Sequence, residues 1–247
     1  MIDEMRTQHA EDSTEITVEV FPPHPEEAEL YKKRLRSLQK QLEELPRILK
    51  QSQRSMMLVF EGWDASGKGG TIRRITDALR EDRVQVFPTC APTPEEKSRH
   101  YLWRFWRTVP AVGNIAIYDR SWYGRVLVER VEGFAAETEW KRAYEEIRNF
   151  EKTMAESGCI LRKFWLDISP EEQLQRFHAR QNDPKKQHKL TPEDWRNRSH
   201  RKEYEEALSD MLRETDTEYA PWDVIPADNK RTARLAVMEQ ILTAVHL

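Results

Sequence analysis

The feature that most constrains this chain is a glycine-rich segment, GWDASGKGGT, which runs from Gly62 to Thr71. The apolar run MMLVF precedes it and a helical pattern follows it, so the glycines fall at a strand-to-helix turn. Glycines there let the backbone turn tightly, and successive N–H groups then form an anion nest at the helix N-terminus. Lys68 adds a mobile positive charge for phosphate oxygens. The segment therefore predicts a phosphate-binding loop between a strand and a helix.

One position in this loop departs from the common pattern G-x-x-x-x-G-K-[ST]. Gly69 occupies the place of the hydroxyl that normally ligates magnesium. An acid inside the loop, Asp64, restores a possible metal ligand, and a turn without a ligand would explain neither Asp64 nor Lys68. We expect the loop itself to contact phosphate through Gly62, Ala65, Ser66, Gly67, Gly69 and Gly70.

The rest of the chain alternates short apolar runs with helical patterns, which is typical of a parallel sheet with crossover helices. Five strands are predicted, at 56–60, 84–87, 114–118, 160–168 and 223–227. Helices are predicted near 70–81, 94–108, 121–131, 137–156, 170–181, 198–214 and 230–245. The expected fold is therefore α/β, with one five-stranded parallel sheet between two layers of helices.

A leucine-rich helix precedes this alternation. From Pro25 to about Gln53 the leucines at 35, 38, 42, 45 and 49 repeat every three or four residues, and Pro46 interrupts the pattern. We expect this face to pack within its own domain; the alternative is a seam between subunits. Residues 1–24 are expected to form a disordered lead, and 25–247 a single domain.

A second polar motif follows the third predicted strand, in IAIYDRSWYGR. Asp119 and Arg120 fall at the carboxyl end of that strand, the edge where open parallel sheets bind ligands. Asp119 and Asp64 are therefore candidate ligands of one or two magnesium ions. Alternatively, Asp119 caps the following helix and Arg120 is its surface partner. Arg125 lies one turn beyond Ser121 and is a further candidate for the same cleft.

The segment 176–202 is strongly basic, with nine Lys and Arg residues against three acids. Arg176 and Arg180 share one helical face, which could close over phosphates as a lid, with Lys189 as a further phosphate contact. The irregular stretch 181–197 is where a mobile flap would lie. The alternative for much of this charge is a solvated surface.

The composition limits the classes of partner. A net charge of −3 argues against a uniformly basic nucleic-acid binder, although a polyanion needs only a local basic surface. No run approaches the roughly eighteen apolar residues of a membrane span, so we expect a cytoplasmic protein without membrane or nucleic-acid partners. Two distant cysteines, Cys90 and Cys159, lack zinc-ligand spacing.

Together GWDASGKGGT, YDRSWYGR and KFWLDISPEEQLQRFHAR resemble the polyphosphate kinase 2 family, from about Pro25 to the C-terminus. FEGWDASGKGG, HYLWRFWR, SWYGRVLVERVEGF and TEYAPWDVIPADNKR are most similar to its polyphosphate:AMP phosphotransferase branch. In that family a glycine is usual at the position of Gly69. The resemblance implies a P-loop kinase fold like that of thymidylate kinase, with a helical lid, dependence on Mg²⁺ and assembly into a homo-oligomer. It implies metal, phosphate and lid roles for Asp64, Lys68, Asp119, Arg120 and Arg180. His188 replaces an aromatic residue that is common in the lid of relatives.

The expected activity is phosphoryl transfer from inorganic polyphosphate to AMP, giving ADP. Alternatives within the family are ADP, or AMP and ADP in sequence, as acceptor. An ATP-dependent nucleotide kinase and a non-catalytic phosphate-binding module are the alternatives outside it. An AMP phosphate is largely dianionic at neutral pH and needs no general base. Catalysis would then rest on alignment and charge neutralisation by Asp64, Lys68, Asp119, Arg120 and Arg180.

Overall fold

A five-stranded parallel sheet forms the centre of the molecule. The computed structural model describes residues 28–79 and 81–245, so the expected lead at 1–24 lies outside the described residues. The strands are β1 (Ser55–Gly62), β2 (Val84–Pro88), β3 (Ile115–Asp119), β4 (Cys159–Asp167) and β5 (Trp222–Pro226). Their order across the sheet is β2-β3-β1-β4-β5, and every pairing is parallel. All five predicted strands are confirmed.

The central strand, β1, leads into the glycine-rich loop and is covered on both faces. Its residues from Ser55 to Glu61 are all buried, which explains the continuous apolar run in the sequence. β1 pairs with β3 on one side and β4 on the other, and Phe60 lies beside both Asp119 and Phe164. The carboxyl ends of these three strands therefore meet at one edge, directly below the glycine-rich loop.

Helices and short 3₁₀ turns connect and cover the strands. The helices are α1 (Ala28–Leu42), α2 (Leu45–Gln51), α3 (Lys68–Thr76), α4 (Pro94–Lys97), α5 (Trp103–Trp106), α6 (Val128–Val131), α7 (Glu137–Glu156), α8 (Pro170–Gln181), α9 (Pro192–Ser199), α10 (Arg201–Thr215) and α11 (Lys230–Thr243). The 3₁₀ turns span Trp122–Arg125 and Gln187–Lys189. The predicted bounds of α7 and α8 agree with the structure, and helices near 70–81 and 230–245 are confirmed with shifted ends.

Three predicted elements are wrong in detail. The stretch 94–108 is two short helices, because a capping box at Thr93 begins α4 and the chain turns again before α5. The stretch 121–131 is a 3₁₀ turn followed by α6, since Trp122 and Tyr123 are both buried at successive positions. The helix expected over 198–214 is divided at His200, and α9 occupies part of the stretch expected to be irregular.

The leucine-rich helix packs within its own domain. Leu38 and Leu42 of α1 and Leu45 and Leu49 of α2 are buried in the main hydrophobic core. The helix stops after Leu42, and Pro46 lies in the first turn of α2, where its missing N–H costs no intrahelical bond. The leucines of this face are therefore buried by the chain itself.

A buried ion pair fixes the segment that follows β3. Lys163 of β4 and Glu151 of α7 are both fully buried, with Nζ and Oε2 2.8 Å apart. Lys163 also donates to the Tyr123 hydroxyl at 2.8 Å and the Thr215 carbonyl at 2.7 Å. The Trp122 indole donates to the other carboxylate oxygen of Glu151 at 3.0 Å. Because all three ammonium protons find acceptors, this network holds the 3₁₀ turn after Arg120 in place.

Among the described residues, the helices are too short or too polar for any of them to cross a lipid bilayer.

Candidate active site

The glycine-rich loop turns through left-handed backbone conformations that explain its glycines. Gly62 has φ +141° and Gly67 has φ +108°. A methyl group on Gly62 would lie 2.5 Å from the Leu166 carbonyl oxygen of the adjacent strand. Glycine at 62 is therefore required both by the turn and by the close approach of β4. α3 begins immediately after Gly67, so its first N–H groups lack intrahelical partners and are available to an anion.

Ala65 is strained, and Arg176 holds it in place. Ala65 has φ +64°, which a residue with a side chain rarely adopts. The Arg176 guanidinium reaches across from α8 and donates to the carbonyls of Ala65 at 2.9 Å and Ser66 at 3.0 Å. It also donates to the carbonyls of Ala227 at 2.7 Å and Asp228 at 2.8 Å.

The fifth N–H of Arg176 donates to Glu172 at 2.6 Å. A guanidinium has five N–H donors, so every donor of this residue is occupied by the protein itself. The expectation that Arg176 contacts phosphate is therefore not what the structure shows. Arg176 instead joins the glycine-rich loop to the β5–α11 connection and to the first turns of α8.

Lys68 lies at the mouth of the loop. Its ammonium donates to the carbonyls of Gly62 at 2.6 Å and Trp63 at 3.1 Å, which leaves one N–H for a phosphate oxygen. Burial, together with the nearby Arg120 guanidinium, lowers the pKa of Lys68, while the carboxylates of Asp64 and Asp119 oppose that change. Lys68 and the two acids named from the sequence are thus gathered at one point.

Asp64 is held by two partners. Its Oδ1 accepts from Arg120 Nη2 at 2.7 Å, and its Oδ2 accepts from Asn197 Nδ2 at 2.8 Å. Burial alone would lower the pKa of Arg120, but the carboxylates around it, Asp64 first, raise that pKa. Arg120 has φ +63°, and Thr89 donates to its carbonyl at 2.8 Å. The alternative in which Arg120 is only a surface partner does not fit this arrangement.

Asp119 is the unpaired acid of the site. Among the described residues no hydrogen bond or ion pair reaches its carboxylate, although it is only partly exposed. A methyl group on Gly69 would lie 4.0 Å from its Oδ2, so Asp119 faces the first turn of α3. A half-buried carboxylate without a protein partner, near a second one, fits a hard divalent cation that keeps several waters. Within 28–79 and 81–245 no cluster of three or more metal-ligating side chains occurs, so a metal here would rest on two acids.

Glu61 was not among the residues named from the sequence. It is buried at the end of β1, where burial raises the pKa of its carboxyl group against the opposing effect of Ser121, Lys68 and Arg120. Ser121 donates to Glu61 Oε1 at 2.9 Å and also caps the 3₁₀ turn by accepting from the Tyr123 amide. The sequence signal was an acid that ends a strand of otherwise apolar residues.

Three other predicted residues make no described contact with the loop. Arg125 pairs with Glu129 at 3.0 Å and lies over the Tyr101 ring at 4.6 Å, and none of its described contacts is with the loop. Arg180 donates to the Lys189 carbonyl at 2.8 Å, which ties α8 to the turn before α9. The Lys189 side chain is exposed.

α9 and α10 close over the loop. Arg198 of α9 donates to the Pro170 carbonyl at 2.8 Å and to Gln173 at 3.0 Å. The Arg201 guanidinium of α10 lies 4.0 Å from the centre of the Trp63 ring. A narrow cleft remains below them; Glu61, Trp63, Asp64, Arg120, Asn197 and Arg201 are among its lining residues. A larger cavity of about 350 Å³ lies at the amino ends of β2 and β3, on the opposite edge of the sheet from the loop.

The sheet order and the glycine-rich loop, with Lys68 and the Asp64–Arg120 pair beside it, define a protein of the P-loop class. A family model described as Polyphosphate kinase 2 matches residues 26–247. The chain belongs to this family.

Similar proteins agree with this assignment. The chain is 49% identical over 215 residues to a polyphosphate:AMP phosphotransferase of Pseudomonas aeruginosa, covering 87% of this chain and 43% of that protein. It is 43% identical to ADP-polyphosphate phosphotransferase 3 of Rhizobium meliloti, covering 87% of this chain and 76% of that one. The crystal structure of a polyphosphate kinase 2 from P. aeruginosa superposes with a TM-score of 0.86 at 48% identity, covering 90% of this chain and 48% of that one. The chain thus spans under half the length of two of these proteins.

Proposed function

We propose that this chain transfers phosphoryl groups from inorganic polyphosphate to AMP, giving ADP, in a reaction that depends on Mg²⁺. One observation carries the proposal: Lys68, the Asp64–Arg120 pair and the unpaired Asp119 meet at the start of α3, beside N–H groups that can bind phosphate. The 49% identity to a polyphosphate:AMP phosphotransferase supports polyphosphate as donor and AMP as acceptor.

The residues of this site act through charge and position. The dianionic AMP phosphate can attack without a general base, so no residue need remove a proton. The loop amides and Lys68 bind the donor phosphates, while Arg120, held by Asp64, offsets charge on the transferred group. Asp119, with Asp64, would hold magnesium, which supplies charge neutralisation across the donor and transferred phosphates. Arg180 and Lys189 are proposed to contribute as parts of a lid formed by 176–202.

The acceptor is the finer part of this proposal, because the R. meliloti relative is named for ADP. The test is to incubate the purified protein with polyphosphate and Mg²⁺ and to offer AMP, ADP, GMP and GDP in separate reactions. The proposal predicts ADP from AMP as the fastest conversion. Turnover of ADP or a guanine nucleotide with AMP left unchanged would contradict it.

Lys68→Ala separates the role of the site from the fold. We expect transfer to fall by at least about a hundredfold, because a single donor to developing charge is commonly worth that much. The unfolding midpoint should change little, because Lys68 donates only to two carbonyls at the open mouth of the loop. Near-normal turnover in this variant would refute the assignment of the loop as the catalytic site.

A further inference from the structure

A side chain of α9 reaches the acid inside the glycine-rich loop. Asn197 Nδ2 donates to Asp64 Oδ2 at 2.8 Å, and the Tyr204 hydroxyl of α10 donates to Asn197 Oδ1 at 3.4 Å. An ionised carboxylate only accepts hydrogen bonds, so the amide must turn its NH₂ group to Asp64 and its oxygen to Tyr204. Burial, then the charge of Glu132, raises the pKa of Tyr204, so this hydroxyl keeps the proton that it donates. The orientation of the Asn197 amide is therefore set from both sides.

This contact still leaves Asp64 able to bind a cation. The Asp64 side chain is 10% exposed, and each of its oxygens accepts one described hydrogen bond, Oδ1 from Arg120 and Oδ2 from Asn197. A carboxylate offers about four lone-pair sites, so each oxygen retains one. Two fixed donors on different oxygens also restrict rotation of the carboxylate. Asn197 therefore orients Asp64 without filling the positions that a metal would use.

The helix that carries Asn197 is held by surface contacts rather than by burial. None of the residues of α9 is buried, and its Trp195 ring packs edge-on against Phe177 with centroids 5.0 Å apart. The neighbouring Arg196 pairs with Glu132 at 2.8 Å, a contact that does not involve the loop. A helix with so little buried apolar surface separates from the domain at low cost in free energy. The hydrogen bond to the loop is therefore present only while α9 lies against it.

We propose that Asn197 is a positioning residue for Asp64: while α9 lies on the loop, its amide holds the carboxylate in the orientation that binds a divalent cation together with Asp119. This inference rests on the proposed function for the presence of magnesium at the site. The hydrogen-bond partners of a ligating carboxylate fix its direction, and their loss weakens metal binding by about ten- to a hundredfold. The coupling is reciprocal, because a cation that favours the oriented carboxylate equally favours α9 in contact with the loop.

The test measures the binding of Mn²⁺ alone, by calorimetric titration of the full chain without nucleotide or polyphosphate. Mn²⁺ takes the same oxygen ligands as Mg²⁺. Asn197→Leu has a side chain of similar size but no hydrogen bonds, and we expect its dissociation constant for Mn²⁺ to rise about tenfold. The matched control is Arg196→Gln, which removes the neighbouring polar contact of α9 and should change that constant by less than about twofold.

A second measurement follows the helix itself. Hydrogen–deuterium exchange of the α9 amides should slow when Mn²⁺ is added to the wild type, and it should not respond to Mn²⁺ in Asn197→Leu. Both variants should unfold at the urea concentration of the wild type, since α9 has no buried residue.

Four results would overturn the inference. The first is equal affinity of the wild type and Asn197→Leu for Mn²⁺, or no uptake of Mn²⁺ by the wild type. The second is tighter binding by Asn197→Leu, because Asn197 would then occupy a position that the cation needs. The third is an equal loss with Arg196→Gln, which would assign the effect to the contacts of α9 in general. The fourth is clearly earlier unfolding of Asn197→Leu, which would give the residue a structural role.

The proposed function is tested separately from the role of Asn197. A wild type that binds Mn²⁺ as expected, with the expected loss in Asn197→Leu, but forms no ADP from polyphosphate and AMP would refute the proposed function. The role of Asn197 in orienting Asp64 would then stand.

Discussion

Replacing Arg176 by methionine should destabilise the protein and disable the loop together. Arg176 is 5% exposed and gives all five of its N–H donors to the protein. Methionine fills part of the same space but leaves four carbonyls without a donor, and three of these belong to the buried residues Ala65, Ser66 and Ala227. A buried acceptor left unpaired costs about 1–3 kcal/mol. Taking the lower end for three such carbonyls, we expect the free energy of unfolding to fall by about 3 kcal/mol.

Activity should fall with stability but for a separate reason. Ala65 keeps its left-handed conformation because its surroundings hold it, and strain of this kind, about 1–3 kcal/mol, is released when the support is removed. The loop should then relax away from the geometry that presents its amides, and kcat should fall well below that of the wild type. Arg176→Lys keeps the charge and the pair with Glu172, but a lysine cannot reach both the glycine-rich loop and the β5–α11 connection. Its stability and kcat should therefore lie between those of the wild type and of Arg176→Met.

The matched control is Arg180→Met, one turn further along α8. Arg180 donates a single bond to the exposed Lys189 carbonyl, so its loss should change stability by less than about 0.5 kcal/mol. The assay is equilibrium urea unfolding followed by fluorescence, combined with steady-state kinetics of ADP formation. An Arg176→Met variant as stable as Arg180→Met, or one with the kcat of the wild type, would refute the role given to Arg176.

Three further outcomes follow from the geometry of the site. Gly62→Ala would place a methyl group 2.5 Å from the Leu166 carbonyl oxygen, at a position whose φ is +141°. This variant should therefore begin to unfold at a clearly lower urea concentration than the wild type. The control is Gly124→Ala, whose added methyl group would lie 3.8 Å from a side chain and which should unfold as the wild type does. Glu61→Gln should stabilise the protein at pH 7, because burial raises the pKa of Glu61 above its ordinary 4.5 and the folded state therefore disfavours the charged form. That gain should disappear in unfolding curves recorded below the ordinary pKa, where the carboxyl group is protonated in both states; a gain independent of pH would contradict this cause. Asp119→Asn should abolish transfer, measured as ADP formation, without lowering stability, since no described residue pairs with this carboxylate.

The strands and the loop could be predicted from the sequence because their signals are local. β1 is a continuous apolar run followed by glycines, and the backbone angles at Gly62 and Gly67 are those that glycine alone adopts easily. The position of Asp119 and Arg120 beside the loop could be predicted because the carboxyl ends of parallel strands share one edge of the sheet. Each of these inferences uses only neighbours in sequence and one topological rule.

The contacts of the arginines in α8 could not be predicted from neighbours in sequence. Arg176 and Arg180 lie four residues apart on one helix and look equivalent in the sequence, yet one is surrounded by carbonyls and the other is near the surface. What distinguishes them is the position of the β5–α11 connection, which is remote in sequence.

Helix boundaries failed where tertiary contacts override local pattern. One helix was expected over 94–108, but the chain is interrupted there, and the Arg99 and Arg107 guanidiniums both lie over the Trp103 ring, at 4.5 and 4.7 Å. The turn before α5 allows that packing and the burial of Phe105.

The most direct test of the central claim is to supply AMP and Mg²⁺ with either long-chain polyphosphate or ATP as the phosphoryl donor and to measure ADP. The account predicts ADP formation with polyphosphate, matched by the loss of polyphosphate residues and abolished in Lys68→Ala. ADP formation that requires ATP and ignores polyphosphate would contradict it, and would identify the chain as an ATP-dependent nucleotide kinase with the same loop.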